Sequence, residues 1–235
     1  MTEEELVQRY PRLWHMADLR NAPGIFDRGL LCTSELLRLF EIRGDARRAL
    51  EQQRRPESVT LSASGLGVAV IRDQQPLSVP RIAASLTTGS VTDFLRFINA
   101  RVFFWPTERR LITMNSAEAY RETPQLVFVV ETASLVPAHR RRIRLSPINS
   151  GATRPFAHER SIDMFRSITE FDYEARKRYR DPIAELTVAR GVPEIFDHVI
   201  GLEVWQNGTR LGTLKGPYKR AAVVTALAEL GGPTA

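Results

Sequence analysis

Cys32 is the only cysteine among 235 residues, which excludes an intrachain disulfide framework and a thiolate metal cluster. The four histidines, His15, His139, His158 and His198, include no pair at helical ligand spacing, and neither H-E-x-x-H nor C-x-x-C occurs. The expectation is a protein without a metal. There is no Walker sequence, no G-x-S-x-G and no G-x-G-x-x-G, and Gly65-Leu-Gly67 is too short for a phosphate loop. The common kinase, hydrolase and dehydrogenase readings therefore have no support. No apolar run approaches the ~20 residues that span a bilayer, and the chain starts acidic (Glu3, Glu4, Glu5), unlike a signal peptide. No membrane partner and a cytoplasmic location are expected. Repeats, low-complexity tracts and linkers are also missing, so one domain over 1–235 is the simplest organisation.

What is present is an ordinary globular composition, 43% hydrophobic and 26% charged. The charge is unevenly placed. From His139 to Arg180 there are 11 Lys/Arg against 5 Asp/Glu, an excess equal to the net +6 of the whole chain. A localised basic face suits a nucleic acid or another polyanion, and a solvated arginine-rich surface would look the same.

Pattern and punctuation place the elements. A short helix or lead-in runs from Glu3, followed by a strand over Leu13 to Ala17 that contains His15. Asp18 can cap a helix that Gly29 ends, and Thr33 and Ser34 can cap the next, Glu35 to Glu41. A polar helix, Asp45 to Arg54, precedes paired strands over Val59 to Ser62 and Val68 to Ile71, and a loop begins at Pro76. A helix over Thr92 to Ala100 leads to the strand Arg101-Val-Phe-Phe-Trp105. Glu108 to Tyr120 reads as helix. Gln125 to Val130 reads as a strand buried on both faces. Leu135 to His139 turns into a basic strand, Arg140 to Leu145, and a loop with many turn residues follows to Pro155. Asp172 to Arg180 is a helix or ordered loop. Leu186 to Val188 is a strand with Glu185 at its entrance, and Asn207-Gly208 marks a hairpin before a closing helix, Arg220 to Leu230. The fold class is α+β.

A carboxylate fixed on a strand beside the basic aromatic run Tyr173 to Arg180 can stabilise a cation next to an anionic partner, although a Glu at a strand end is by itself an ordinary residue. The same holds for His15 as a core histidine, Phe103 to Trp105 as core, Arg72 as a hairpin ion-pair member, and Asn149 as a turn former.

Taken together, these stretches resemble a known family. Leu13-Trp-His15-Met-Ala-Asp-Leu-Arg-Asn-Ala-Pro-Gly-Ile-Phe-Asp-Arg-Gly-Leu-Leu31 resembles the opening of the DarT-type DNA ADP-ribosyltransferases. Arg101 to Pro106 resembles their aromatic strand, and Ala184-Glu185-Leu-Thr-Val188 resembles the strand that carries their catalytic glutamate. Through Ile71-Arg-Asp-Gln74, Phe-Phe-Trp105 and Ser146-Pro-Ile-Asn-Ser-Gly151 the chain is more similar still to an uncharacterised bacterial family of ADP-ribosyltransferase-like proteins. The resemblance implies an ADP-ribosyltransferase-like split β-sandwich with flanking helices, using NAD as co-substrate and no metal. Glu185 and Arg72 would be catalytic. His15, Arg101, Phe103 and Trp105 would bind NAD. Asn149, Tyr173, Arg176, Arg178 and Tyr179 would bind the acceptor. The implied function is ADP-ribosylation of a DNA or RNA base, as a toxin or phage-defence effector with an antitoxin or ADP-ribosylhydrolase partner. Transfer to protein, NAD hydrolysis, and a non-catalytic nucleotide- or nucleic-acid-binding member of the fold remain open.

Overall fold

A computed structural model describes residues 1–155, 157–214, 216 and 218. The closing helix expected over Arg220 to Leu230 lies outside the described residues. The chain opens with α1 (Glu3–Arg9), capped by a Thr2–Glu5 capping box, and β1 (Arg12–Asp18). The Asp18 carboxylate caps a 3-10 turn, and α2 (Ala22–Arg28) ends at Gly29, whose φ of 73° needs glycine. There follow β2 (Leu30–Leu31), α3 (Thr33–Leu39), α4 (Gly44–Gln52) and the hairpin β3 (Val59–Ala63) and β4 (Gly67–Ile71). Then come α5 (Val79–Ser85), α6 (Val91–Asn99), β5 (Arg101–Phe104), α7 (Glu108–Asn115), β6 (Gln125–Glu131), α8 (Thr132–His139) and β7 (Ile143–Ser146). The described chain closes with β8 (Glu185–Ala189), β9 (Gly191–Val192), β10 (Val199–Gln206) and β11 (Thr209–Leu214).

The fold is α+β, with two sheets sharing one core. The larger has the order β1-β6-β10-β11, and the smaller β5-β8-β7, antiparallel throughout. Alternation sends Leu13 and Ala17 of β1, with Leu126, Phe128 and Val130 of β6, to the shared face. From the other side Val102, Phe104, Ile143, Leu145, Leu186 and Val188 meet them. β6 is buried along its whole apolar length, as its sequence predicts.

Several elements depart from the sequence reading. Thr33 and Ser34 lie inside the first turn of α3. The cap is Cys32, whose carbonyl accepts from the Glu35 and Leu36 amides, and no side-chain cap bond forms. The loop expected from Pro76 contains α5, whose Pro80 sits in the first turn, where a missing N–H costs nothing. α7 stops at Asn115, before the expected Tyr120. The buried Asn115 carboxamide accepts from the Gly208 amide (2.6 Å) and so ties that helix end to the β10–β11 hairpin. Leu135 to His139 is the end of a helix rather than a lead into a basic strand. Arg140 to Arg142 make a turn closed by the Arg142 amide on the His139 carbonyl, and pairing starts at Ile143.

Candidate active site

The two sheets join at one edge. Trp14 of β1 and Trp105, just past β5, exchange both backbone hydrogen bonds (3.0 and 2.8 Å), after which the strands diverge. A cavity of about 490 Å³ opens there. This lies in the ~300–1,000 Å³ range of small-molecule and cofactor sites. Glu185, Arg72, His15, Arg101, Phe103, Trp105 and Asn149 all line it. Register explains part of this. Phe103 pairs with Thr187 and Arg101 with Ala189 across β5–β8, while Ser146 of β7 pairs with Glu185. Side chains alternate, so Val102, Phe104, Leu186 and Val188 go to the core, and Arg101, Phe103 and Glu185 go to the cavity.

Glu185 is 4% exposed. Both its carboxylate oxygens accept from the Ser150 amide, at 3.1 Å each. Burial pushes its pKa up to about 7, while Ser150 and the charges of Arg110 and Arg160 pull it down. Arg110 is in turn paired with Asp181 at 3.1 Å, just before the strand. A carboxyl poised near neutrality in a cleft is suited to stabilising a developing cation or accepting a proton.

Arg72 extends beyond β4 toward the same cavity. Its guanidinium lies 4.5 Å over the Tyr120 ring, and Nη2 donates to Gln125 Oε1 (2.9 Å) and the Met16 carbonyl. Tyr120 is itself fixed by donating its hydroxyl to Asp73. Nη1 is buried without a partner among the described residues, which leaves a fixed cationic donor for a ligand anion. His15 places Nδ1 2.8 Å from the Phe103 carbonyl. A carbonyl only accepts, so Nδ1 carries the proton. Burial, with Arg72 nearby, lowers the His15 pKa to about 4. The ring is therefore neutral and Nε2 is left as a hydrogen-bond acceptor.

The remaining expected residues divide. Arg101 donates to Thr187 Oγ1 (3.1 Å) and stacks on Phe97, so much of its guanidinium is already engaged. The Asn149 carboxamide accepts from the Gly151 amide (3.0 Å), a turn role that it combines with lining the cavity. Tyr173, Arg176, Arg178 and Tyr179 do not line the cavity. Tyr173 packs against the core beneath Arg9. Arg176 donates to the Pro147 and Pro182 carbonyls, three residues before Glu185, and so holds this loop against the β7 and β8 ends. Tyr179 is 47% exposed, with the Arg176 and Arg178 guanidiniums 4.8 and 5.1 Å from its ring centroid.

A model for a family of unknown function, DUF7002, matches residues 11–199. The chain belongs to this family. The comparison with curated proteins gave no match. The DUF7002 match begins just before β1 and ends as β10 starts, so it contains every cavity residue named above.

Sequence reasoning missed several groups in this DUF7002 domain. Ser150 acts through its amide, which only the Asn-Ser-Gly turn composition could have suggested. Tyr120 and Gln125 brace Arg72 from positions with no motif, and Asp73, within the Ile71-Arg-Asp-Gln74 stretch, holds Tyr120. Arg55, also lining the cavity, donates to the Arg72 carbonyl and to Asn99 Oδ1, and burial lowers its pKa to about 10. Away from the cavity, His139, Glu194 and His198 lie close together. Arg142 can only donate, so its contact with His139 Nδ1 puts the neutral ring's proton on Nε2, 3.3 Å from Glu194. That tautomer offers a proton to the cluster where a cation would need a lone pair.

Proposed function

We propose that the protein is an NAD-dependent ADP-ribosyltransferase of the split-sandwich type, acting on a nucleic-acid base. One observation carries this reading. Residues scattered from His15 to Glu185, chosen for their resemblance to an NAD site, line a single cavity. The side chains suit the reaction. Nicotinamide leaves ribose C1′ with the electron pair of the C–N bond and departs neutral, so no acid is needed to protonate it. The oxocarbenium-like centre left behind needs one nearby carboxylate, which is Glu185. The acceptor nitrogen or oxygen then bonds to C1′, and Glu185 takes its proton. Arg72 Nη1 suits a phosphate oxygen, His15 Nε2 can accept from a ribose hydroxyl, and Phe103 or Trp105 offers an apolar surface to the nicotinamide ring.

The choice of a polyanionic acceptor rests on the basic segment from His139 to Arg180 and on the exposed Arg176–Tyr179–Arg178 group tethered beside the Glu185 strand. A role in toxicity or phage defence in the cytoplasm, opposed by an antitoxin or a hydrolase, would follow from such chemistry. Incubation with labelled NAD and single-stranded DNA, RNA or lysate is expected to label a nucleic acid, with labelling lost in Glu185→Ala. Label on protein alone, or nicotinamide release without transfer, would redirect the reading to a protein acceptor or to hydrolysis. Equal labelling by both proteins would refute the role of Glu185.

A further inference from the structure

Beyond its charge acting on Glu185, Arg160 has been given no role, yet it is a guanidinium only 1% exposed. Its backbone is bound on both sides, donating to the Ser85 carbonyl (2.9 Å) and accepting from the Thr87 amide (3.0 Å). The side chain runs from this anchor beneath the turn after β7. Nη1 donates to the Ser150 carbonyl (3.3 Å), Nη2 to the Ala152 carbonyl (3.0 Å) and Nε to the His158 carbonyl (3.3 Å), and the Phe94 ring lies 5.7 Å away. The acidic charge acting on it is that of Glu185. Burying a cation costs free energy, which the three carbonyls and the charge of Glu185 offset here. The turn it holds presents the Ser150 amide to both oxygens of Glu185.

We propose that Arg160 is the positioning residue of Glu185: its fork fixes the Ser150 and Ala152 carbonyls, and thereby aims the Ser150 amide at the carboxylate. The same turn reaches the other half of the site. The Thr153 amide and hydroxyl donate to the Pro76 carbonyl, and Thr153 Oγ1 accepts from the Ser78 amide, shortly after Arg72 and Asp73. Arg160 thus braces a segment that touches both walls of the cavity. The charged groups acting on Glu185 are Arg110, from α7, and Arg160, from beyond the turn. Arg81 holds the same loop further on, through the Thr153 and Pro155 carbonyls, and serves as a control.

The test follows the Ser150 amide resonance of the full ¹⁵N-labelled chain against pH. In the wild type the resonance is expected to move with the titration of Glu185, and Glu185→Gln is expected to abolish that movement. Arg160→Lys keeps the charge but loses the fork, so most of the movement should vanish and the Glu185 midpoint should rise by about one unit. Arg81→Ala should behave as the wild type. A pH-independent Ser150 amide in the wild type overturns the proposal whether or not the Arg160 variant folds, as does wild-type movement in Arg160→Lys. The proposal rests on the proposed function only for its kinetic consequence, a kcat for nicotinamide release lower by about 10- to 100-fold at unchanged KM in Arg160→Lys. No turnover in the wild type would count against the proposed function alone, because the amide titration needs no NAD.

Discussion

Replacing Glu185 by Gln measures what it costs to keep a carboxylate at the site. The glutamine has nearly the same shape, and its carbonyl can still accept from the Ser150 amide. Folded Glu185 holds its proton up to about pH 7, against a usual value of 4.5, with burial the main cause. Between these values the folded state binds the extra proton, so rising pH destabilises it, and the penalty is complete above pH 7. A shift from 4.5 to about 7 corresponds to about 3 kcal/mol at ~1.4 kcal/mol per unit. Urea unfolding of both proteins from pH 4.5 to 8.5 is the assay. Glu185→Gln is expected to match the wild type at the acid end and to exceed it by about 3 kcal/mol above pH 7. In a chain of 235 residues that is about 6–12 °C in Tm. The reasoning fails if the difference is independent of pH, or if the wild type is the more stable protein at pH 8. The first result would mean that Ser150 and the surrounding cations balance burial, and the second that they outweigh it.

Other outcomes can be measured alongside. Arg72→Ala is expected to weaken NAD binding about 10- to 100-fold by calorimetry, the loss of a charge-assisted contact, and an unchanged Kd would remove Arg72 from the site. Tyr179→Ala should lower affinity for single-stranded nucleic acid by about 1–3 kcal/mol while leaving NAD affinity alone; equal losses for both ligands would contradict a separate acceptor surface. Gly29→Ala places a Cβ 2.2 Å from the Pro193 carbonyl oxygen at a φ of +73°, so urea unfolding should show a loss of about 2 kcal/mol or more, and an unaltered midpoint would argue against the β2–β9 contact.

The strands were legible where burial or turn chemistry left one answer. Leu126 to Val130 is apolar without interruption and forms most of a central strand, and Asn207-Gly208 supplies the two positive φ values of the β10–β11 hairpin. Arg101 and Phe103 are expected at the site through the family resemblance, and strand alternation in β5 puts both on the cavity side. The misses are places where tertiary contacts overrode local signals. α8 forms despite Pro137, with Leu135 and Val136 buried in the core. Thr33 and Ser34 look like caps, but the Cys32 carbonyl takes that place. Arg160 could not be identified from sequence, since a buried arginine bonded only to carbonyls has no motif. The run Tyr173 to Arg180 is expected to meet the acceptor as a unit, but the chain divides it between a core-packed Tyr173 and an exposed Tyr179.

The central claim, that Glu185 faces the ribose of bound NAD, is tested most directly by a crystal structure with an NAD analogue that cannot release nicotinamide. The expected result is a ribose hydroxyl within about 3.2 Å of a Glu185 carboxylate oxygen, with a phosphate on Arg72 Nη1. An analogue bound elsewhere, or lying in the cavity with its ribose away from Glu185, would contradict it.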